Sequence, residues 1–121
     1  MALCPEIFRQ RAIIEGLYGI NEINEQTVSQ VLQVMTKTLG MTPIADLLIF
    51  SPDHVSELHH GIGGFQAWAE SGCSLYTWRE QKLFTLELYS CKPFQVSDCI
   101  LKLQQLLKVE RVEWRNIPSD S

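Results

Sequence analysis

Ser71 follows Glu70 in the run A-E-S-G-C-S-L-Y-T-W, residues 69–78, which otherwise reads as strand. The question it raises is whether Glu70-Ser71 is an ordinary peptide bond or one that the protein cuts in itself. The four cysteines, Cys4, Cys73, Cys91 and Cys99, show no C-x-x-C spacing, and three of them fall in apolar-patterned segments. Neither a zinc site nor a disulfide framework is expected, and reduced thiols leave any one of them available for chemistry. Taken alone, Cys91 reads as a small buried hydrophobe, as do Cys73 and Cys99. All three histidines, His54, His59 and His60, fall in one loop-like stretch. Adjacent histidines point to opposite faces when extended, so no metal site is expected. Glu15 sits inside an apolar run and needs a partner if buried, whereas Glu80 falls in a polar turn. The G-I-G-G of residues 61–64 lacks the spacing of a dinucleotide or phosphate-loop fingerprint and reads as backbone entering a strand.

The elements that must position these residues follow from periodicity. Ala12 to Tyr18 is rich in strand formers and stops at Gly19. Asn24 is a good helix cap, and Val28, Val31, Leu32, Met35 and Leu39 form one helical face that ends at Gly40. Ile44 to Phe50 is a short apolar run closed by Ser51-Pro52, and predicts a buried strand. Residues 51–64 carry turn chemistry at both ends and predict a loop of the length that often serves function. Residues 65–70 and 73–78 alternate as half-buried strand, and Gly72 between them predicts one bent strand or a bulge at Ser71-Gly72. In Leu83 to Ser90, Phe84, Leu86 and Leu88 share one face and Thr85, Glu87 and Tyr89 the other. A second helix follows Pro93, with Val96, Cys99, Ile100, Leu103 and Leu107 on its apolar stripe, and residues 109–114 alternate as a last strand before a polar tail. The order β-α-β-β-β-α-β predicts a two-layer α+β sandwich, an antiparallel sheet with two helices on one face. Its other face is left for solvent or a partner.

With 121 residues and 45% hydrophobic content, the chain fits one domain with one core. A net charge of -4 with scattered Lys and Arg offers no footprint for nucleic acid or an anionic membrane surface. The N-terminus lacks the pattern of a signal peptide and no apolar run approaches the ~20 residues of a membrane span, so a cytoplasmic protein is expected.

Together, G-I-G-G, A-E-S-G-C-S-L-Y-T-W-R-E and the cysteine beyond resemble the prokaryotic S-adenosylmethionine decarboxylases, whose signature runs roughly G-V-S-G, then E-S-H-x-x-I-H-T-W-P-E, then T-C. The resemblance spans nearly the whole chain. It implies a proenzyme that cleaves itself between Glu70 and Ser71 and turns the serine into a pyruvoyl group, the electron sink for decarboxylation, with no external cofactor. Ser71 matches the pyruvoyl precursor, Cys91 the proton donor, Glu80 a carboxylate that binds ribose hydroxyls, and Glu15 a first-strand carboxylate near the substrate. Three positions depart from the pattern. Gly63 replaces the serine that assists self-cleavage, Gly72 replaces the histidine after the cleaved serine, and Tyr76 replaces the histidine that promotes elimination. A phenol is a far poorer base near neutrality than an imidazole, so slow or absent processing is expected. Where the family places an aromatic against adenine this chain has E-L-H-H, so His59 or His60 could stack on a purine or stand in as the base if the loop folds over Ser71. The family packs sheet faces together as homodimers.

Three functions stay open on this reading. One is a divergent self-processing decarboxylase acting on S-adenosylmethionine in spermidine synthesis, another a decarboxylase for a different amino acid. The third is an uncleaved paralogue that binds an S-adenosylmethionine-like small molecule or regulates another protein.

Overall fold

The computed structural model describes residues 3–117. Strand β1, Gln10–Leu17, buries Gln10, Ala12 and Ile14 and exposes Arg11, Ile13 and Glu15, the alternation that a half-covered sheet imposes. Helix α1, Glu25–Thr38, starts where Asn24 and Thr27 cap each other: the Thr27 N–H donates to Asn24 Oδ1 at 2.9 Å. It ends at Gly40, whose φ of +64° lets Met41 N–H reach back to Thr36 O. Its buried residues, Val28, Val31, Leu32 and Met35, are the stripe read from the sequence.

The remaining elements are β2 (Leu48–Phe50), β3 (Gly63–Trp68), β4 (Ser71–Trp78), β5 (Leu83–Ser90), α2 (Val96–Leu107) and β6 (Arg111–Ile117). All strand pairs are antiparallel, in the order β2-β3-β4-β5-β1-β6. The two-layer α+β sandwich with helices on one face is therefore the architecture of this chain. The stretch expected as one bent strand is instead a hairpin: Trp68 pairs with Ser71, and Ala69-Glu70 form its two-residue turn. Nothing bulges at Ser71-Gly72, since Gly72 pairs with Ala67 on one side and Tyr89 on the other. Glu70 takes the turn's left-handed position, φ +65°. Strand β2 covers only the last three residues of the apolar run 44–50, and β6 extends to Ile117.

The core lies between sheet and helices. Ile14, Trp68, Leu75, Phe84 and Leu86 from the strands meet Val31, Met35, Leu103 and Leu107 from the helices, all buried. The Trp68 indole N–H donates to Thr36 Oγ1 at 2.8 Å and fixes α1 against β3. On the bare face Phe65, Ile13 and Tyr76 stand 41%, 39% and 39% exposed, among Arg11, Glu15 and Glu87.

Candidate functional site

Ser71 begins β4 immediately after the left-handed Glu70, at the end of the sheet where β5 runs out into Cys91. The backbone N–H of Cys91 donates to Ser71 Oγ at 3.3 Å, so hairpin and strand end bring together the two residues that the family motif pairs. The Cys91 thiol lies 3.7 Å from the Tyr89 hydroxyl, and the Arg11 guanidinium sits 4.8 Å over the Tyr89 ring. The hydrogen bond with Cys91, aided by partial desolvation, raises the Tyr89 hydroxyl above its ordinary value, so it holds its proton at neutral pH. Beside Ser71 the bare face opens into a concavity of about 490 Å³, whose walls include Arg11, Ile13, Phe65, Glu87 and Arg115. Its lining combines apolar walls with guanidinium and carboxylate groups, a composition suited to a small amphipathic ligand.

Gly72, where the resemblance expects a histidine, is overlain by Phe65: a Cβ there would stand 3.2 Å from the ring's Cζ. Gly63 is shut more firmly. A Cβ would meet Leu75 O at 2.6 Å and Phe50 Cε1 at 2.7 Å, so β3 fits this close to β4 and to the Phe50 ring only as glycine.

Tyr76 is on the bare face, five residues along β4 from Ser71 and so roughly 16 Å away at ~3.3 Å per residue. Odd-numbered positions of β4 turn to the helices and even-numbered ones away, so the two side chains start from opposite faces. Tyr76 belongs to an aromatic cluster: its ring centroid is 5.2 Å from Phe50 and 6.0 Å from His59, and His59 stacks on Trp78 at 4.1 Å. His59 Nε2 lies 2.7 Å from Thr77 O and His60 Nε2 lies 3.1 Å from Ser56 O. A carbonyl only accepts, so both rings carry the hydrogen on Nε2. The loop does not fold over Ser71; it folds over the opposite end of β4. Asp53 clamps it there, pairing with Arg79 at 2.9 Å and accepting from Gly61 N–H at 2.8 Å. The Arg79 hydrogen bond holds the Asp53 carboxyl below its ordinary value.

Glu80 is exposed in the β4–β5 turn. Glu15 is exposed too, facing Thr85 and Glu113 across the ladder, so the buried partner it would have required is not needed. Among the described residues no three His, Cys, Asp or Glu side chains converge as metal ligands, and no helix is long and apolar enough to cross a membrane.

Tyr89, Arg11 and Phe65 were not picked out from the sequence. Tyr89 had a usable signal, since it lies two positions before Cys91 and so on the same side of an extended chain. Arg11 had none: its position over Tyr89 depends on the β1–β5 register, Arg11 opposite Tyr89.

A serine that opens β4 just after a tight turn, with the Cys91 backbone bonded to it on an α+β sandwich with one bare sheet face, is the arrangement to which known proteins can be compared. The crystal structure of the adenosylmethionine decarboxylase from Aquifex aeolicus VF5 shares this fold, with a TM-score of 0.71 over 92% of this chain and 89% of that one, at 19% identity. The S-adenosylmethionine decarboxylase family profile matches residues 11–120, and the chain belongs to that family. It is 28% identical over 93 residues to the S-adenosylmethionine decarboxylase proenzyme of Aquifex aeolicus (strain VF5), covering 74% of this chain and 67% of the relative. It is 29% identical over 85 residues to that of Archaeoglobus fulgidus, covering 67% and 70%.

Proposed function

We propose that this chain is a divergent S-adenosylmethionine decarboxylase-like protein, one domain over residues 1–121, in which the Glu70-Ser71 bond is cut slowly or not at all. On this reading it binds an S-adenosylmethionine-like small molecule in the concavity beside Ser71. The observation that carries it is the placement of the imidazoles. Self-cleavage needs the Ser71 hydroxyl to add to the Glu70 carbonyl, giving an ester as the C–N bond breaks. Loss of the Ser71 α-proton then expels the Glu70 carboxylate and leaves dehydroalanine, which hydrolyses to the ketone and ammonia. A base is required at two of these steps. His59 and His60 are held at Thr77 and Ser56, at the far end of β4. Tyr89, beside Cys91, keeps its proton. What touches Ser71 Oγ is the donor N–H of Cys91, which does not take up a proton.

The residues present fit a pyruvoyl group once formed: the Cys91 N–H would donate to an oxygen at position 71, and the Cys91 thiol would stand ready as proton donor. The group would supply the electron sink for decarboxylation. Two observations favour a second reading, an active decarboxylase for S-adenosylmethionine or another amino acid. These are the Ser71–Cys91 contact and the strained φ of Glu70 at the scissile bond. Under either reading we place the protein in the cytoplasm, within the polyamine and spermidine chemistry of its family, as a homodimer through the bare sheet face. The half-exposed Ile13, Phe65 and Tyr76 of that face support the dimer. None of Glu15, Glu80, His59 and His60 lines the concavity beside Ser71, so on this reading they serve as ligand contacts only from the second copy of the dimer.

Intact mass of the purified protein, measured fresh and after long incubation at neutral pH, tests the proposal. One unchanged species at 13.8 kDa is expected. Two fragments that divide between Glu70 and Ser71 already in the fresh protein, the second with a blocked pyruvoyl start, would overturn it in favour of the active enzyme.

A further inference from the structure

At the opposite end of β4 from Ser71, and sharing no wall with the concavity there, lies a polar pocket of about 370 Å³. It is bounded by the β1–α1 connection, with Tyr18, Asn21 and Glu22, by Gly61 and Ile62 of the clamped loop, and by Thr77 and Arg79. The family motif and the reading above assign it nothing.

Tyr18 marks it as more than a surface dent. The residue is only 3% exposed, lines the pocket, and its hydroxyl makes no hydrogen bond to any described residue. Its ring is packed away while its hydroxyl is left to solvent at the pocket, an amphipathic placement that leaves the O–H open to a ligand. The neighbouring hydroxyl does have partners: Thr77 Oγ1 donates to Ile62 O and accepts from Ile62 N–H. Burial raises the Tyr18 hydroxyl above its ordinary value, with the nearby Arg79 charge acting the other way, so at neutral pH it is a donor awaiting an acceptor. Arg79 supplies a second donor. Asp53 holds one Nη at 2.9 Å, which steadies the guanidinium while leaving other N–H groups of the fork for a second acceptor. At the mouth the exposed Glu22 adds the opposite charge.

From this arrangement we infer a binding site for a small zwitterionic amino-carboxylate, its carboxylate between the Tyr18 hydroxyl and Arg79 and its ammonium toward Glu22. A carboxylate accepts from both the Tyr18 hydroxyl and the exposed Arg79 guanidinium, and one charge at each end matches Arg79 and Glu22, the two charged residues that line the pocket. A dianion would be repelled by Glu22, and a bare amine would leave Tyr18 unpaired.

Backbone amide NMR of the full chain, titrated with glycine, acetate and methylamine, tests the site. Glycine is expected to shift the amides of residues 18–23, 61–62 and 77–79 but not those of 71–74 or 87–91, with acetate weaker and methylamine silent. Tyr18→Phe should weaken glycine about 10-fold or more, the usual effect of losing a hydrogen bond to a charged group. The same variant should keep its thermal midpoint, because the hydroxyl it removes has no partner inside the protein. Glu22→Gln should bring glycine down to the level of acetate. The site is overturned if glycine gives no shifts up to about 50 mM, a Kd too weak to count as recognition. It is equally overturned if methylamine binds as well as glycine, if Tyr18→Phe leaves glycine binding unchanged, or if Glu22→Gln does.

Discussion

Cys99 and Cys73 show what the sandwich does to a thiol. Both are buried, Cys99 on α2 and Cys73 on β4 facing it. Burial pushes the Cys99 thiol up to about 12, with the Asp98 charge adding to it, and raises Cys73 well above its ordinary value. A thiol bound more tightly to its proton in the folded state contributes stability that is complete below its unfolded value near 9 and is lost as pH rises toward about 12. Urea midpoints measured across that window should therefore fall. Cys99→Ala should start lower, because it leaves a small cavity, yet lose less with rising pH than the wild type. Parallel pH profiles for the two proteins would show that thiol ionisation is not the source. Cys91, only half-buried and next to Ser71, lies outside this pair.

At the scale of elements, the helices were legible because their apolar residues recur at helical spacing and their ends carry explicit signals, Asn24 and Gly40 for α1. Strand β5 was legible through strict alternation. The β3–β4 hairpin was not, because its turn is Ala69-Glu70, without the Gly, Asn or Asp that a left-handed turn position usually takes. Gly72 carried a false turn signal; its glycine accommodates the Phe65 ring rather than a bend. The Ser71–Cys91 pair was read through the family motif, while the Tyr89–Arg11 stack that borders it depends on strand register and had no local signature. The two glycines that replace polar residues of the motif also differ in kind. Gly63→Ala should cost about 1–3 kcal/mol, since Leu75 O at 2.6 Å is backbone and cannot move aside alone. Gly72→Ala should stay within about 0.5 kcal/mol, because the half-exposed Phe65 ring can rotate away. Chemical denaturation of the two variants checks the order, and equal losses would mean that the strand spacing at Gly63 is softer than its contacts indicate. It follows that restoring the motif's serine at 63 requires repacking of Phe50 and β4 as well.

For the whole molecule, the bare sheet face is the feature that the fold leaves unresolved by itself. Leu48, Phe65, Ile13 and Ile117 are exposed across it, 57%, 41%, 39% and 45%, interleaved with Arg11, Glu87 and Arg115. An apolar band carrying both signs of charge can match a rotated copy of itself, the requirement of a two-fold interface. Ile13 stands in the middle, opposite Glu87 on β5 and Arg115 on β6. Ile13→Lys tests the homodimer proposed above without touching the core, since an exposed position beside Glu87 accepts a lysine readily in the monomer. In a face-to-face dimer the same charge would be buried without an assured partner, at a cost of several kcal/mol. Sedimentation velocity should show a dimer for the wild type and a monomer for Ile13→Lys, both with native far-UV circular dichroism. A wild-type protein that sediments as a monomer, or a variant that stays dimeric, would remove the bare face as the interface.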